Sequence, residues 1–268
     1  QPNAMGGREV GGLSHQLAAH MDFSNPDDIQ RVARFWQTQN IAQTPGYSAV
    51  ALFDAMAEGK IKAVWIMGTN PVVSLPNANK VKRALQNCPF VVVSDCIADT
   101  DTTALAHVLL PAQGWSEKDG TVTNSERRIS RQRPLLSPAG EAKPDWWIVC
   151  QVARRMGFAD NFPYENPLQI FQEHAALSGF ENDGQRDFDI SYLADLSVEN
   201  YGQLKPIQWP VNSQNPQGTA RMFADGHFFT TTTKAQFIAV TPQTPEQLPD
   251  KAFPFVLNTG RIRDQWHT

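Results

Sequence analysis

The sequence predicts an α/β fold in which a three-layer parallel sheet carries helices on both faces and is followed by an irregular α+β region. Three observations lead there. Two short apolar runs, Ala63 to Met67 and Phe90 to Val93, have the unbroken Val- and Ile-containing character of strands buried on both faces of a parallel sheet. Between them, from Asn77 as N-cap, Val81, Ala84, Leu85 and Cys88 recur at helical spacing while Lys80, Lys82 and Arg83 take the outer side. The periodic segments then alternate helix and strand up to Pro111, the order that right-handed crossovers impose.

Taken in order, the opening QPNAMGGREVGG is so dense in glycine that its backbone is expected to lie close against something. Residues 25–43 hold a helix with Ile29, Val32, Ala33, Phe35 and Trp36 turned inward. After Thr44-Pro45-Gly46 comes a second helix whose inner face is Val50, Phe53, Met56 and Ala57, ended by Gly59. Gly68 breaks the first strand, and beyond Asp95 a short helix from Asp99 to Ala106 feeds a strand at Val108-Leu109-Leu110, stopped by Pro111.

From Trp115 the texture changes. An Asp119-Gly120 turn sits between short extended arms and runs into Arg127, Arg128, Arg131 and Arg133. That run reads as a solvated face, with a phosphate or partner site as the alternative. Pro144 opens a helix carrying Trp147, Ile148, Val152 and Met156, and Gly157 closes it; Asn166-Pro167 opens another, through about Leu177. Residues 178–222 are rich in Gly, Asn, Gln, Asp and Pro and read as long connections without a core of their own. His227 to Val240 alternates as two strands, Thr241 to Pro254 reads as a linker, and Phe255-Val256-Leu257 starts a new strand.

The 268 residues can bury a sizeable core, and the net charge of -4 with 19% charged residues excludes neither substrate class nor enzyme but speaks against nucleic acid and membrane surfaces as partners. No apolar run approaches the roughly 20 residues of a membrane span. Three cysteines without CxxC spacing argue against a disulfide framework and for a reducing compartment. Cys88 and Cys150 fall on apolar helix faces; Cys96, beside Asp95, reads as a packed structural cysteine, a reactive thiol being the alternative. The six histidines form no ligand motif, so no protein-held metal is expected. The chain begins at Gln1 and stops at Trp266-His267-Thr268, which we read as a piece of something longer.

In open α/β sheets the ligand crevice lies beyond the carboxyl ends of the strands, and here those ends carry Gly68-Thr69-Asn70-Pro71 and Ser94-Asp95. Glycine lets a backbone approach a phosphate or base, and a carboxylate at the neighbouring tip can accept two hydrogen bonds from ribose hydroxyls or from the paired N–H donors of guanine. The alternative is a tight turn at Gly68 and a helix cap at Asp95. Neither GxGxxG nor GxxxxGK[ST] is present, so ordinary dinucleotide and P-loop readings are weak. Near the amino end, Arg8 is equipped to hold an anion bidentately, or is a surface residue of a loose terminus.

Gly68-Thr69-Asn70-Pro71, Ser94-Asp95, the stretch Trp115 to Arg128 and the ending Asn258 to Thr268 resemble, in that order, the signatures of the molybdopterin oxidoreductase family. The opening Gln1 to Gly11 resembles its assimilatory nitrate reductase branch in particular. The resemblance implies a molybdenum bis(molybdopterin guanine dinucleotide) centre that reduces nitrate to nitrite by oxygen-atom transfer, and a [4Fe-4S] cluster in an N-terminal part not contained here. It implies an electron-donor protein or reductase subunit as partner and a cytoplasmic location. Carried over by residue, Gly68, Thr69, Asn70, Ser94 and Asp95 become cofactor contacts, and Arg8, with Gln1 beside it, a contact to the nitrate near the metal. Thr259, Gly260, Arg261, Gln265, His267 and Thr268 match loops that touch the pterins, at the start of a C-terminal β-barrel domain. The implied division is residues 1–114 for the dinucleotide-binding α/β region, 115–250 for the irregular region packing on it and 251–268 for the barrel's beginning. Glu117, Asn124, Glu126 and Arg127 are implied to form a structural or cofactor-lining turn, and His107 departs from the aspartate common in relatives. The cysteines expected to hold molybdenum and cluster are not among the three present, so the isolated chain is expected to be inactive. A formate dehydrogenase of the same family and a non-catalytic electron-transfer subunit are the alternatives.

Overall fold

In the computed structural model, which describes residues 3–245 and 248–256, the chain opens with helix α1 (Ala4–Glu9) and continues through a tight loop to α2 (Pro26–Phe35). Asn25 caps α2 by accepting from the Asp27 N–H, and Pro26 costs no hydrogen bond at the first helical position. The glycine-dense opening does lie against backbone: at Gly11, φ is +71° and a Cβ would stand 2.6 Å from the Ala18 nitrogen.

Helix α3 (Ala49–Ala57), strand β1 (Ala63–Met67), the single turn α4 (Pro71–Ser74), α5 (Ala78–Asn87), β2 (Phe90–Asp95) and β3 (Val108–Pro111) form the expected α/β unit. The three strands are parallel in the order β1-β2-β3, with Met67 opposite Ser94 and Asp95 opposite Pro111. All three therefore end at one rim. Asn77 caps α5 by accepting from the Lys80 N–H, as its position predicts. The His107 ring accepts from the Val91 N–H at 3.0 Å and its backbone N–H donates to the Val91 carbonyl at 2.8 Å, which zips the start of β3 onto β2.

Val64, Ile66, Val91 and Val93 turn to one face of the sheet and pack with Phe53, Met56, Val81, Ala84 and Leu85 of α3 and α5. Among the described residues the helical cover lies on that face; on the other, Met67 and Phe90 are each 46% exposed. The expectation of burial on both sides fails for β1, whose Ala63 and Met67 on that second face are exposed. The inner face of α3 is also rotated from the expected one, with Ala55 buried and Val50 exposed. The helix expected over Asp99 to Ala106 is a turn of 3-10 helix, Thr103–Leu105, because Thr100 and Thr103 bond each other's hydroxyls and backbone.

The second half is β4 (Gly120–Thr123), β5 (Arg128–Gln132), α6 (Asp145–Arg155), α7 (Pro167–Gly179), α8 (Val198–Gly202) and the two-residue β6 (Ile207–Gln208), with β4, β5 and β6 antiparallel in that order. The hairpin does not turn at Asp119-Gly120. It turns at Asn124, whose side-chain oxygen accepts from the N–H groups of Glu126 and Arg128, with Arg127 at φ +65°.

Residues 178–222 form no core of their own, as expected, but they do more than connect: Phe188, Ile190, Leu193, Trp209 and Val211 are buried in one cluster with Leu17, Met21, Ile29 and Val32 from the amino end and Phe171 and Ala175 from α7. His227 to Val240 forms no strand; Phe223 stacks on Phe228 at 4.6 Å and the stretch finds no sheet partner among the described residues.

The arginine run is no solvated face. Arg131 lies 4.0 Å over the Tyr201 ring, pairs with Asp119 at 2.7 Å and donates to the carbonyls of Gly120, Gln132 and Tyr201. Arg127 donates to the carbonyls of Trp209, Thr219 and Ala220, and Arg133 to that of Gly202. These guanidinium forks satisfy carbonyls at the end of α8, at the open end of the β4–β5 hairpin and in the irregular stretch from Trp209 to Ala220.

Candidate functional site

The strand rim is built by neighbours in register. Gly68 leaves β1 at φ +60° and donates its N–H to the Ser94 carbonyl at 3.0 Å, so the first loop starts beside the end of β2. A Cβ there would meet nothing within 4 Å, which leaves open space over the turn. Thr69 is exposed, and Asn70 stands at the N-cap position of α4 without a side-chain cap, its side-chain oxygen accepting instead from the Thr102 hydroxyl at 2.6 Å. Thr102, fully buried, in turn accepts from the Val72 N–H and so ties the loop before β3 to the loop after β1. Sequence reasoning passes over Thr102, because nothing in the local pattern separates it from its threonine neighbours.

Asp95 ends β2 with one carboxylate oxygen accepting from the Ile97 N–H at 2.9 Å and its carbonyl accepting from Ala112 at 3.0 Å. The expected alternative is thus partly realised, as a turn and not as a helix cap. Its second carboxylate oxygen takes no hydrogen bond among the described residues. The side chain lines a cavity of about 350 Å³ with Cys96, Leu109, Ala112, Gly114 and Glu117. Glu117 spends both oxygens on the wall, accepting from the N–H groups of Gly114 at 2.7 Å and Ala139 at 3.0 Å. Cys96 is exposed and not packed, since β2 has already ended. Ser94 is buried, and its hydroxyl accepts the Trp65 indole N–H at 2.8 Å, so its side chain joins β1 to β2 and does not face the crevice.

Arg8 lies elsewhere. It is exposed on α1, its guanidinium makes no hydrogen bond or ion pair among the described residues, and it lines a separate cavity of about 320 Å³ with Gln16, His20, Asp22, Arg186 and Asp187. Its backbone is fixed: the Gln16 amide donates to the Arg8 carbonyl at 2.6 Å. Beside it Glu9 is buried, accepting from the Trp209 indole at 2.6 Å and from the Thr123 hydroxyl at 2.9 Å. The His20 ring is 2.9 Å from Asp187. Burial pushes the Asp187 carboxyl up, but the His20 hydrogen bond and charge with the Phe188 N–H more than offset it and hold the group below the usual carboxylate range. Gln1, Thr259, Gly260, Arg261, Gln265, His267 and Thr268 lie outside the described residues.

Among the described residues no helix is long and apolar enough to cross a membrane. A family model described as Molybdopterin oxidoreductase matches residues 4–155. Over its full length the chain is similar to a nitrate reductase of Klebsiella oxytoca, at 55% identity, and to one of Shewanella frigidimarina, at 56%; it covers 30% and 29% of those proteins. It thus spans under a third of the length of these curated relatives. Among solved structures, acetylene hydratase from Pelobacter acetylenicus superposes with a TM-score of 0.51 at 21% identity, over 87% of this chain and 27% of that one, a likeness that bears on the fold alone.

Proposed function

The chain belongs to the molybdopterin oxidoreductase family, and on that premise we propose that it is a segment of a molybdenum-dependent nitrate reductase. The observation that carries this reading is the 55% identity along the whole chain to a protein named nitrate reductase. In this reading the Asp95 cavity takes the guanine end of a molybdopterin guanine dinucleotide. About 350 Å³ lies in the usual range for small-molecule sites, and an aspartate with an uncommitted oxygen suits a purine edge with two adjacent N–H donors. Gly68, Thr69 and Asn70 flank it from the β1 side of the rim, where the space over Gly68 leaves backbone accessible. Bound there, the cofactor supplies the two-electron redox chemistry at molybdenum, with electrons from a [4Fe-4S] cluster and a donor protein.

This chain's own contribution to the reaction is binding and orientation. Arg8, with an unengaged guanidinium on a helix whose buried neighbour Glu9 anchors it to Thr123 and Trp209, holds the nitrate by a planar fork of donors. The test is nitrite formation by the full-length protein with a reduced dye as electron source. Nitrite at a rate far above formate oxidation supports the reading, and formate oxidation without nitrite refutes it. Arg8→Lys is expected to raise the KM for nitrate at least about tenfold, because a point charge replaces a bidentate fork; an unchanged KM removes Arg8 from the site.

A further inference from the structure

We propose that Thr102 is a positioning residue of the strand rim: its buried hydroxyl turns the side-chain amide of Asn70 so that the NH2 group, and not the oxygen, is presented to an acceptor atom of the bound dinucleotide. This deepens the cofactor reading of the rim above and rests on it.

The hydroxyl has one proton to donate, and its two neighbours decide where that proton goes. The Val72 N–H can only donate, so at 3.3 Å it makes the Thr102 oxygen an acceptor. The proton then points at the other neighbour, the Asn70 side chain at 2.6 Å, and the end of an amide that receives a proton is its oxygen. The opposite turn of the amide would leave a hydroxyl proton without an acceptor on a side chain that has no exposed surface and no third partner among the described residues, which native structures rarely tolerate.

The same exchange releases Asn70 from its own helix. An asparagine just before a helix ordinarily turns its oxygen onto the helix N–H groups, as Asn25, Asn77 and Asn166 all do in this chain. Asn70 does not, because Thr102, from the loop before β3, accepts the Val72 N–H in its place.

Both ends of the 2.6 Å bond sit on fixed backbone. Around Thr102, the Thr100 and Thr103 N–H groups each donate to the other's hydroxyl, at 2.7 and 3.0 Å, and the Leu105 N–H donates to the Thr102 carbonyl at 3.0 Å. The Asn70 carbonyl accepts the N–H groups of Val73 and Ser74, both at 3.0 Å. The amide is therefore held in one orientation.

What remains is the Asn70 NH2 group. It makes no hydrogen bond among the described residues and is not one of the buried polar atoms left without a partner, so it is open to solvent. Its loop starts at Gly68, over which a side chain would meet nothing within 4 Å, and passes through exposed Thr69. The two strand tips thus offer complementary chemistry, N–H donors after β1 and the Asp95 carboxylate after β2. Paired N–H donors suit a phosphoryl or carbonyl oxygen, as the carboxylate suits N–H groups.

The test is the rate at which the loaded full-length protein gives up its dinucleotide in urea below the unfolding transition, read as GMP in the filtrate after acid hydrolysis. Thr102→Val keeps the volume and removes the hydroxyl, and is expected to release GMP at least about tenfold faster than wild type, the effect of one hydrogen bond to a charged group. Thr102→Ser restores the hydroxyl and is expected to stay within about twofold of wild type. In an Asn70→Ala background, Thr102→Val is expected to change the rate by less than about twofold, because its effect passes through the amide. A threonine that served the fold alone would carry the same factor into both backgrounds; that result overturns the proposal, and so does a Thr102→Val protein with the wild-type rate. Asn70→Asp keeps the oxygen that Thr102 holds and replaces the NH2 group with a second acceptor, so it reads the orientation even where Thr102→Val fails to fold. Release faster than from Asn70→Ala is expected, and a rate no faster than that overturns the inference. A wild-type protein that yields no GMP is a different result, which sinks the cofactor reading and this inference with it.

Discussion

Phe188→Ala is expected to lower the unfolding free energy by about 3–5 kcal/mol, the cost of deleting a large aromatic ring from a core that cannot collapse around the hole. Phe188 is fully buried, and its ring touches those of His20, His174 and Trp209, each with its centroid 5.3 Å away. Those three rings come from the amino-terminal loop, from α7 and from the strand-like segment after β6. The cavity would open where the three meet, and His20 and Trp209 cannot move without breaking their hydrogen bonds to Asp187 and Glu9. Pulse proteolysis of the full-length protein in urea reads the effect directly. A loss below about 1 kcal/mol would mean that this cluster is not the core described here.

Glu9→Ala ranks next, with an expected loss of about 2–4 kcal/mol. Glu9 is 2% exposed and accepts from the Trp209 indole and the Thr123 hydroxyl; the His174 ring nitrogen Nε2 stands 4.0 Å away. Alanine would leave two buried donors without acceptors and detach α1 from both β4 and Trp209. Glu9→Gln keeps an acceptor for one of those donors and is expected to lose about half as much. Because α1 also carries Arg8, the alanine variant is expected to raise the KM for nitrate while the glutamine variant leaves it nearly unchanged. Equal losses from the two variants would show that the full carboxylate is required and that one remaining oxygen holds neither donor.

The parts of the fold that were legible in the sequence are those whose cause is local. Val91 and Val93 sit in an unbroken apolar run, and Asn77 and Asn166 each accept from the backbone N–H three residues on, so strand and helix starts could be read from a few neighbouring letters. The parts that were not legible depend on distant partners. Phe188, Ile190, Leu193, Trp209 and Val211 stand singly among polar residues with no period, and only contact with Leu17 to Val32 and with α7 makes them a core. The arginines look like a charged surface until the carbonyls of Tyr201 and Thr219, some 70 and 92 residues away, are brought to them. The same holds for the site. Asp95 and Gly68 were readable from the strand-end rule, whereas Thr102 was one of three close-set threonines until Asn70 and Val72, 32 and 30 residues away, met its hydroxyl.

Asp95 as the guanine contact is tested most directly by the cofactor content of the Asp95→Ala full-length protein, read as GMP released per molecule on acid hydrolysis. Losing two charge-assisted hydrogen bonds, about 3 kcal/mol together, is expected to empty that end of the centre and bring the released GMP to about half the wild-type amount or less. An Asp95→Ala protein that still releases the full wild-type amount would contradict the assignment.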